Sequence, residues 1–153
     1  MKKKKPAEGK ILNRKARFDY ELSDDLTVGI QLTGAETKAL RRGHGQLRGA
    51  FVTVKDGELW LTNATITGDN SIKIDDADKT RPRKILAKRR EIDHLLRLKD
   101  QGRTIIPTAV LTKGRFIKLQ ISAGKGKKNY DKRETIKRRD TDRQNSAELK
   151  KYQ

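Results

Sequence analysis

Asp75, Asp76 and Asp78 form the only dense acidic cluster of the sequence, and His44 and His94 are its only histidines. Three carboxylates this close offer hard oxygen ligands to Mg²⁺ or Ca²⁺, the minimum a metal-dependent nuclease would need. No EF-hand spacing follows them, Asp140 and Asp142 sit far away in a charged terminus, and neither histidine has a nucleophile or a third ligand beside it. The absence of cysteine removes thiolate nucleophiles, thiolate metal sites and disulfides together. The phosphate loop G-x-x-x-x-G-K-[ST] and the nucleophile elbow G-x-S-x-G are missing as well. The residues therefore favour binding over catalysis, the acidic cluster reads as a solvated loop, and no cofactor is expected.

The chemistry the sequence does supply is phosphate recognition. Residues 124–140, GKGKKNYDKRETIKRRD, carry eight lysines and arginines in seventeen positions. Its glycines let the backbone come close to phosphates, Lys125, Lys127 and Lys128 supply charge, and Tyr130 offers a stacking surface. On a helix, Arg133, Lys137 and Arg138 share one side, with Lys132 and Arg139 adding charge beside them. Near the other end, ILNRKARFDYEL (11–22) mixes Asn13, Arg14, Lys15 and Arg17 with Phe18 and Tyr20. Arginine binds phosphate bidentately, asparagine reads base edges or sugars, and an aromatic ring stacks on an unpaired base. The same stretch reads equally well as a strand with Phe18 and Tyr20 in the core. RPRK (81–84) supplies a third patch through Arg81, Arg83 and Lys84, or an ordinary surface loop.

Composition supports the same partner class. The chain has 153 residues, with 38 Lys and Arg against 20 Asp and Glu, a formal charge of +18 that calls for a polyanion. No apolar stretch approaches the roughly twenty residues needed to cross a bilayer, and MKKKKPAEGK leads into no apolar segment of a secretory signal. The expectation is a cytoplasmic protein that binds nucleic acid and no membrane. Composition alone leaves open a ribosome-associated structural protein.

These residues must be positioned by a single domain. Residues 1–10 read as a disordered basic arm, 11–123 as the domain, and 124–153 as a basic tail, disordered when free and helical on a polyanion. TVGIQLT (27–33) has strand composition. Thr33 and Glu36 have capping-box spacing and Gly43 suits a helix end, which predicts a helix with Ala35, Ala39 and Leu40 inward. FVTVKDGELWLTNATI (51–66) predicts a hairpin turning at Asp56-Gly57, with Val52, Val54, Leu59 and Leu61 on one face and Trp60 on the other. Residues 67–84 read as loop with a brief strand at Ile72 and Ile74. A second helix over 86–102 is expected to bury Ile92, Leu95, Leu96 and the stem of Lys99, ending at Gly102. A second hairpin over 104–122 turns at Lys113-Gly114. The fold class is mainly β: an OB-like small antiparallel β-barrel with two short helices and a disordered basic C-terminal tail.

NRKARFDY (13–20), GAETKALRRG (34–43), the Asp-Gly hairpin, RPRKIL (81–86), KRREID (88–93), TKGRFIKLQISAGKGKK (112–128) and YDKRETIKRRD (130–140) occur in the order found in the SsrA-binding protein family, small protein B, which the chain resembles over nearly all its length beyond residue 10. The resemblance implies an OB-like barrel that binds the tRNA-like domain of transfer-messenger RNA (SsrA RNA) and carries it to ribosomes stalled without a stop codon, in trans-translation. It implies contacts with the small-subunit decoding centre and mRNA channel, and an indirect link to elongation factor Tu through the aminoacylated RNA. It assigns RNA binding to Asn13, Arg14, Lys15, Arg17 and the Gly124–Lys128 junction, and the start of a ribosome-sensing tail to Tyr130, Asp131, Lys132 and Arg133. Phe18 stands where the family usually has histidine. A monomer suits that task.

Overall fold

The computed structural model describes residues 9–127 and 129–151. A short strand β1 (Lys10–Leu12) leads into helix α1 (Arg14–Asp19) and the long strand β2 (Tyr20–Ile30), followed by helix α2 (Gly34–Arg41). Strand β3 (Gly45–Gln46), the hairpin β4 (Phe51–Lys55) and β5 (Glu58–Thr62), and strand β6 (Thr65–Ile66) come next. One helical turn α3 (Asp76–Lys79), strand β7 (Arg83–Leu86) and helix α4 (Arg89–Asp100) precede the strands β8 (Thr104–Leu111) and β9 (Lys118–Gly126). Helix α5 (Asn129–Lys151) ends the chain.

Seven strands form one antiparallel sheet in the order β1-β8-β9-β2-β7-β5-β4, and β3 pairs with β6 separately. β4, at one end of that order, packs against β8 near the other, so the sheet curls into the OB-like form although no hydrogen-bonded ladder joins this seam among the described residues. Inside lie Val28, Leu40, Leu59, Leu61, Ile85, Leu95, Ile105, Leu119 and Ile121. The curl needs breaks in pairing, and β2 provides one between Ser23 and Leu26, where Asp24 has φ 56°. Pro107 sits at the corresponding irregularity of β8, where a missing N–H costs least.

Local sequence accounts for several elements. The Thr33 hydroxyl accepts from the Glu36 N–H (3.2 Å) while the Glu36 carboxylate accepts from the Thr33 N–H (3.4 Å), completing the capping box. Gly43 (φ 81°) and Gly102 (φ 85°) end their helices. Asp56 and Gly57 have φ 53° and 73°, the two left-handed residues a tight hairpin turn requires. Gly57→Ala is therefore expected to destabilise by about 1 kcal/mol, seen as a lower denaturant midpoint with an unchanged slope.

Several expectations are corrected. Residues 14–19 are helix rather than strand, because Asn13 caps them and only Ala16 of that helix is buried. Among the described residues, five helical segments replace the expected two. In α4 the buried residues are Ile92, Leu95 and Leu98, so the inner stripe passes through Leu98 and leaves Lys99 exposed. Ile72 and Ile74 form no strand; Ile72 is buried because the Asp69 carboxylate, held by Arg42 (2.6 Å), gathers the N–H groups of Ser71 and Ile72 into a tight turn. Arg42, then the Ser71 contacts, hold the Asp69 carboxyl well below the usual carboxylate range. The expected basic arm falls mostly on residues 1–8, outside the described residues, and pairing begins at Lys10, opposite Leu111.

Candidate nucleic-acid interface

Asn13 begins the surface but does not belong to it. Its Nδ2 donates to the carbonyls of Pro107 (2.8 Å) and Leu47 (3.2 Å), its Oδ1 accepts from the Ala16 N–H (3.2 Å), and 4 % of it is exposed. A side chain with its amide so occupied inside the protein is a cap and a brace, so the base-reading role expected for it is corrected. Its work is to set the phase of α1. That phase turns Ala16 inward and puts Arg14, Lys15 and Arg17 in solvent.

Phe18 is half-buried on the same helix, with the Lys15 ammonium 5.4 Å and the Arg139 guanidinium 5.8 Å from its ring centroid. β9 brings its last residues alongside, since Gly124, Lys125 and Gly126 pair with Leu22, Glu21 and Tyr20. Lys125 is exposed there. Lys127 donates from its backbone N–H to the Asp19 carbonyl (2.9 Å) and from Nζ to the Arg17 carbonyl (3.2 Å). Arg17, Tyr20 and Lys127 line an open cleft with Thr108 and Gln120. Two of the three sequence patches thus meet at one end of the barrel.

The tail, read above as disordered when free and helical on a polyanion, is an α-helix over Asn129–Lys151. Lys132 on it pairs with Asp19 (3.3 Å), and Arg139 approaches Phe18. Those two residues stand two turns apart on one face of α5, which gives the helix tertiary support the spacing of charges did not reveal. Arg133, Lys137 and Arg138 are exposed. Lys128, and the side chains of Tyr130 and Asp131, lie outside the described residues.

The third patch is not brought to this surface, and its centre is not a surface at all. Arg83 is fully buried, and all five of its N–H donors are used: Nε to Glu36 (3.2 Å), and the terminal nitrogens to the carbonyls of Ala64, Arg81, Asp78 and Lys79 at 3.0–3.1 Å. Arg83 as an RNA contact is therefore corrected; it ties α3, β7 and the β5–β6 connection to α2. Burial lowers its pKa and the adjacent Glu36 carboxylate opposes that fall. Arg81 also pairs with Glu36 (2.6 Å), and Lys84 with Glu58 (2.9 Å).

In the acidic cluster Asp76 pairs with Lys79 (2.7 Å), and among the described residues no group of three or more His, Asp or Glu is placed to hold an ion. No helix of the described residues is long and apolar enough to cross a membrane. Two contributors went unseen in the sequence. Asp19 is the anion around which Lys15 and Lys132 gather, detectable only as the i, i+4 partner of Lys15. Arg41, the last residue of α2, donates to the carbonyls of Thr112, Gly114 and Arg115 and so fixes the β8–β9 turn.

Comparison with known proteins adds independent findings. Residues 10–151 match the family model described as SmpB protein. SsrA-binding proteins of Streptococcus pyogenes serotype M18 (strain MGAS8232) and serotype M49 (strain NZ131) are each 46 % identical over 148 residues, 95 % of this chain and 96 % of theirs. A solved structure described as "tmRNA-SmpB: a journey to the center of the bacterial ribosome" superposes with a TM-score of 0.65 at 33 % identity, covering 79 % of this chain and 86 % of that one.

Proposed function

The chain belongs to the SmpB family, and from that premise we propose that it binds the tRNA-like domain of transfer-messenger RNA and delivers it to stalled ribosomes for trans-translation. The observation that carries the reading is the meeting of α1, the end of β9 and the start of α5 around Phe18, with Arg14, Lys15, Arg17 and Lys125 turned to solvent where phosphates can reach them. The protein acts by shape and charge, contributes no chemical step, and works as a cytoplasmic monomer linked to elongation factor Tu only through the aminoacylated RNA. Helix α5 is the ribosome-facing part. In an mRNA channel without mRNA its cations meet the RNA phosphates of the channel itself, so its fit reports that no codon is present.

Replacing Arg14, Lys15 and Arg17 together by glutamine is expected to weaken transfer-messenger RNA binding and to flatten the plot of log affinity against log salt by about 0.7 to 0.9 for each phosphate no longer neutralised. Binding titrations at several salt concentrations measure both quantities, and an unchanged slope would remove α1 from the interface.

A further inference from the structure

We propose that the cleft beside α1 reads an unpaired guanine of the bound RNA, and that Asp25 is the residue that recognises it. That the RNA is transfer-messenger RNA rests on the functional reading above; the chemistry of the cleft does not.

The cleft that Arg17, Tyr20 and Lys127 open to solvent is lined by Asp25 as well. A carboxylate is out of place on a surface that attracts phosphates, because like charges repel across it. Asp25 is exposed, and its charge is left unmatched. Its neighbour Asp24 has partners in Arg103 (3.5 Å) and His94 (3.6 Å), whereas Asp25 forms no ion pair among the described residues. It is nevertheless held in place. The hydroxyl of Ser122, fully buried on β9, donates to one Asp25 oxygen and fixes the carboxylate against the sheet. The backbone under it is fixed too. Pairing of β2 with β9 is interrupted between Ser23 and Leu26, Asp24 takes φ 56°, and Arg103, in the turn after α4, donates to the Ser23 hydroxyl (2.6 Å). A bulge of this kind re-aims a side chain, and the one it delivers here is Asp25.

A carboxylate has about four lone-pair positions, so the bond from Ser122 leaves Asp25 able to accept two more side by side. Phosphate has no donor to offer it. Of the four RNA bases, guanine alone presents two adjacent N–H donors, the ring N–H and the 2-amino group, on its Watson–Crick edge. The side-chain amide of Gln120, which lines the same cleft, has no partner among the described residues and is available to donate to the guanine carbonyl. The Arg17 guanidinium is exposed and free to take the phosphate of that nucleotide. One cleft thus combines a fixed acceptor pair, a donor and a cation, which is the complement of a guanine nucleotide.

The test begins with nucleotides. Isotopically labelled full-length protein is titrated with GMP, AMP, CMP and UMP while the amide resonances of residues 22–26 and 120–122 are followed by NMR. GMP is expected to shift them and to bind about tenfold more tightly than the other three. Asp25→Asn keeps an acceptor for Ser122 but turns a donor toward the guanine amino group, so its preference should pass to xanthosine monophosphate, which carries an oxygen in place of that group. Ser122→Ala keeps the carboxylate but frees it, and the preference for GMP should shrink without moving to another base. With transfer-messenger RNA, Asp25→Asn should weaken binding about tenfold while the plot of log affinity against log salt keeps its slope, because no phosphate contact is lost. A merely solvated acid on a polyanion-binding surface would act in the opposite direction, since neutralising it would strengthen binding. The proposal is overturned if the four nucleotides bind alike, if Asp25→Asn still prefers GMP, or if that variant binds the RNA as tightly as the parent or more so. A parent that binds no transfer-messenger RNA would defeat the functional reading instead, and the nucleotide titrations would still decide the cleft.

Discussion

Removing residues 129–153 is expected to lower ribosome rescue by about a hundredfold or more while leaving transfer-messenger RNA affinity within about twofold of the full chain. The two effects separate because the barrel does not depend on α5. The two apolar side chains described on that helix with the greatest exposure, Ile136 (47 %) and Leu149 (68 %), face solvent, and the β2–β9 ladder is complete at Gly126. Cutting earlier, after Ala123, would confuse the result. Gly124 pairs with Leu22 and Thr104, and at its position even a Cβ would stand 2.9 Å from Ile106, so the last residues of β9 cover part of the core. Rescue is measured as addition of the RNA-encoded peptide to chains stalled on an mRNA lacking a stop codon, and binding by titration of the same preparation. Rescue that survives the deletion would contradict the sensor role of the tail.

The largest effect on stability is expected at Glu36. Glu36→Ala leaves the Arg83 guanidinium buried with its carboxylate partner gone, a change that costs about 3–5 kcal/mol and lowers the melting temperature by about 10–15 °C. The alternative of removing the cation is no milder. Arg83→Met removes the buried charge but leaves the carbonyls of Ala64, Asp78, Lys79 and Arg81 without the donor they share, so that acceptors inside the protein go unpaired. Because α1 and β9 contribute nothing to this cluster, the Glu36→Ala protein that remains folded at low temperature should bind RNA as the parent does. Thermal unfolding with binding measured well below the transition checks both halves. A shift under about 3 °C would mean that the cluster relaxes or admits water.

The contrast between Arg83 and the hairpin marks where sequence reasoning works and where it stops. Asp56-Gly57, the Thr33–Glu36 box and the alternation of Ile117, Leu119 and Ile121 are local patterns, and the chain obeys them. Arg83 sits in R-P-R-K, where charge density suggests a surface, and its burial is decided by α2, forty-seven residues earlier. A signal was present: Glu36 lies three and four residues before Ala39 and Leu40, so it shares their inward face and needs a buried cation. Asn13 is similar. In R-K-A-R company it reads as a nucleic-acid contact, yet asparagine ahead of a short helix is also a good N-cap, and three buried bonds decide for the cap. Placing Phe18 needed the tail, because its second cation, Arg139, lies 121 positions away in the chain. Charge without an apolar stripe carries no periodic record of what a helix will touch.

The central claim is that this basic surface selects a tRNA-like RNA. Its most direct test is a titration of the full-length protein with transfer-messenger RNA at several salt concentrations, with a canonical tRNA and a ribosomal RNA fragment as competitors. The account predicts tight binding that persists near physiological salt and is displaced poorly by either competitor. Equal binding of all three RNAs, vanishing together as salt rises, would contradict it and leave a generically basic, ribosome-associated protein in its place.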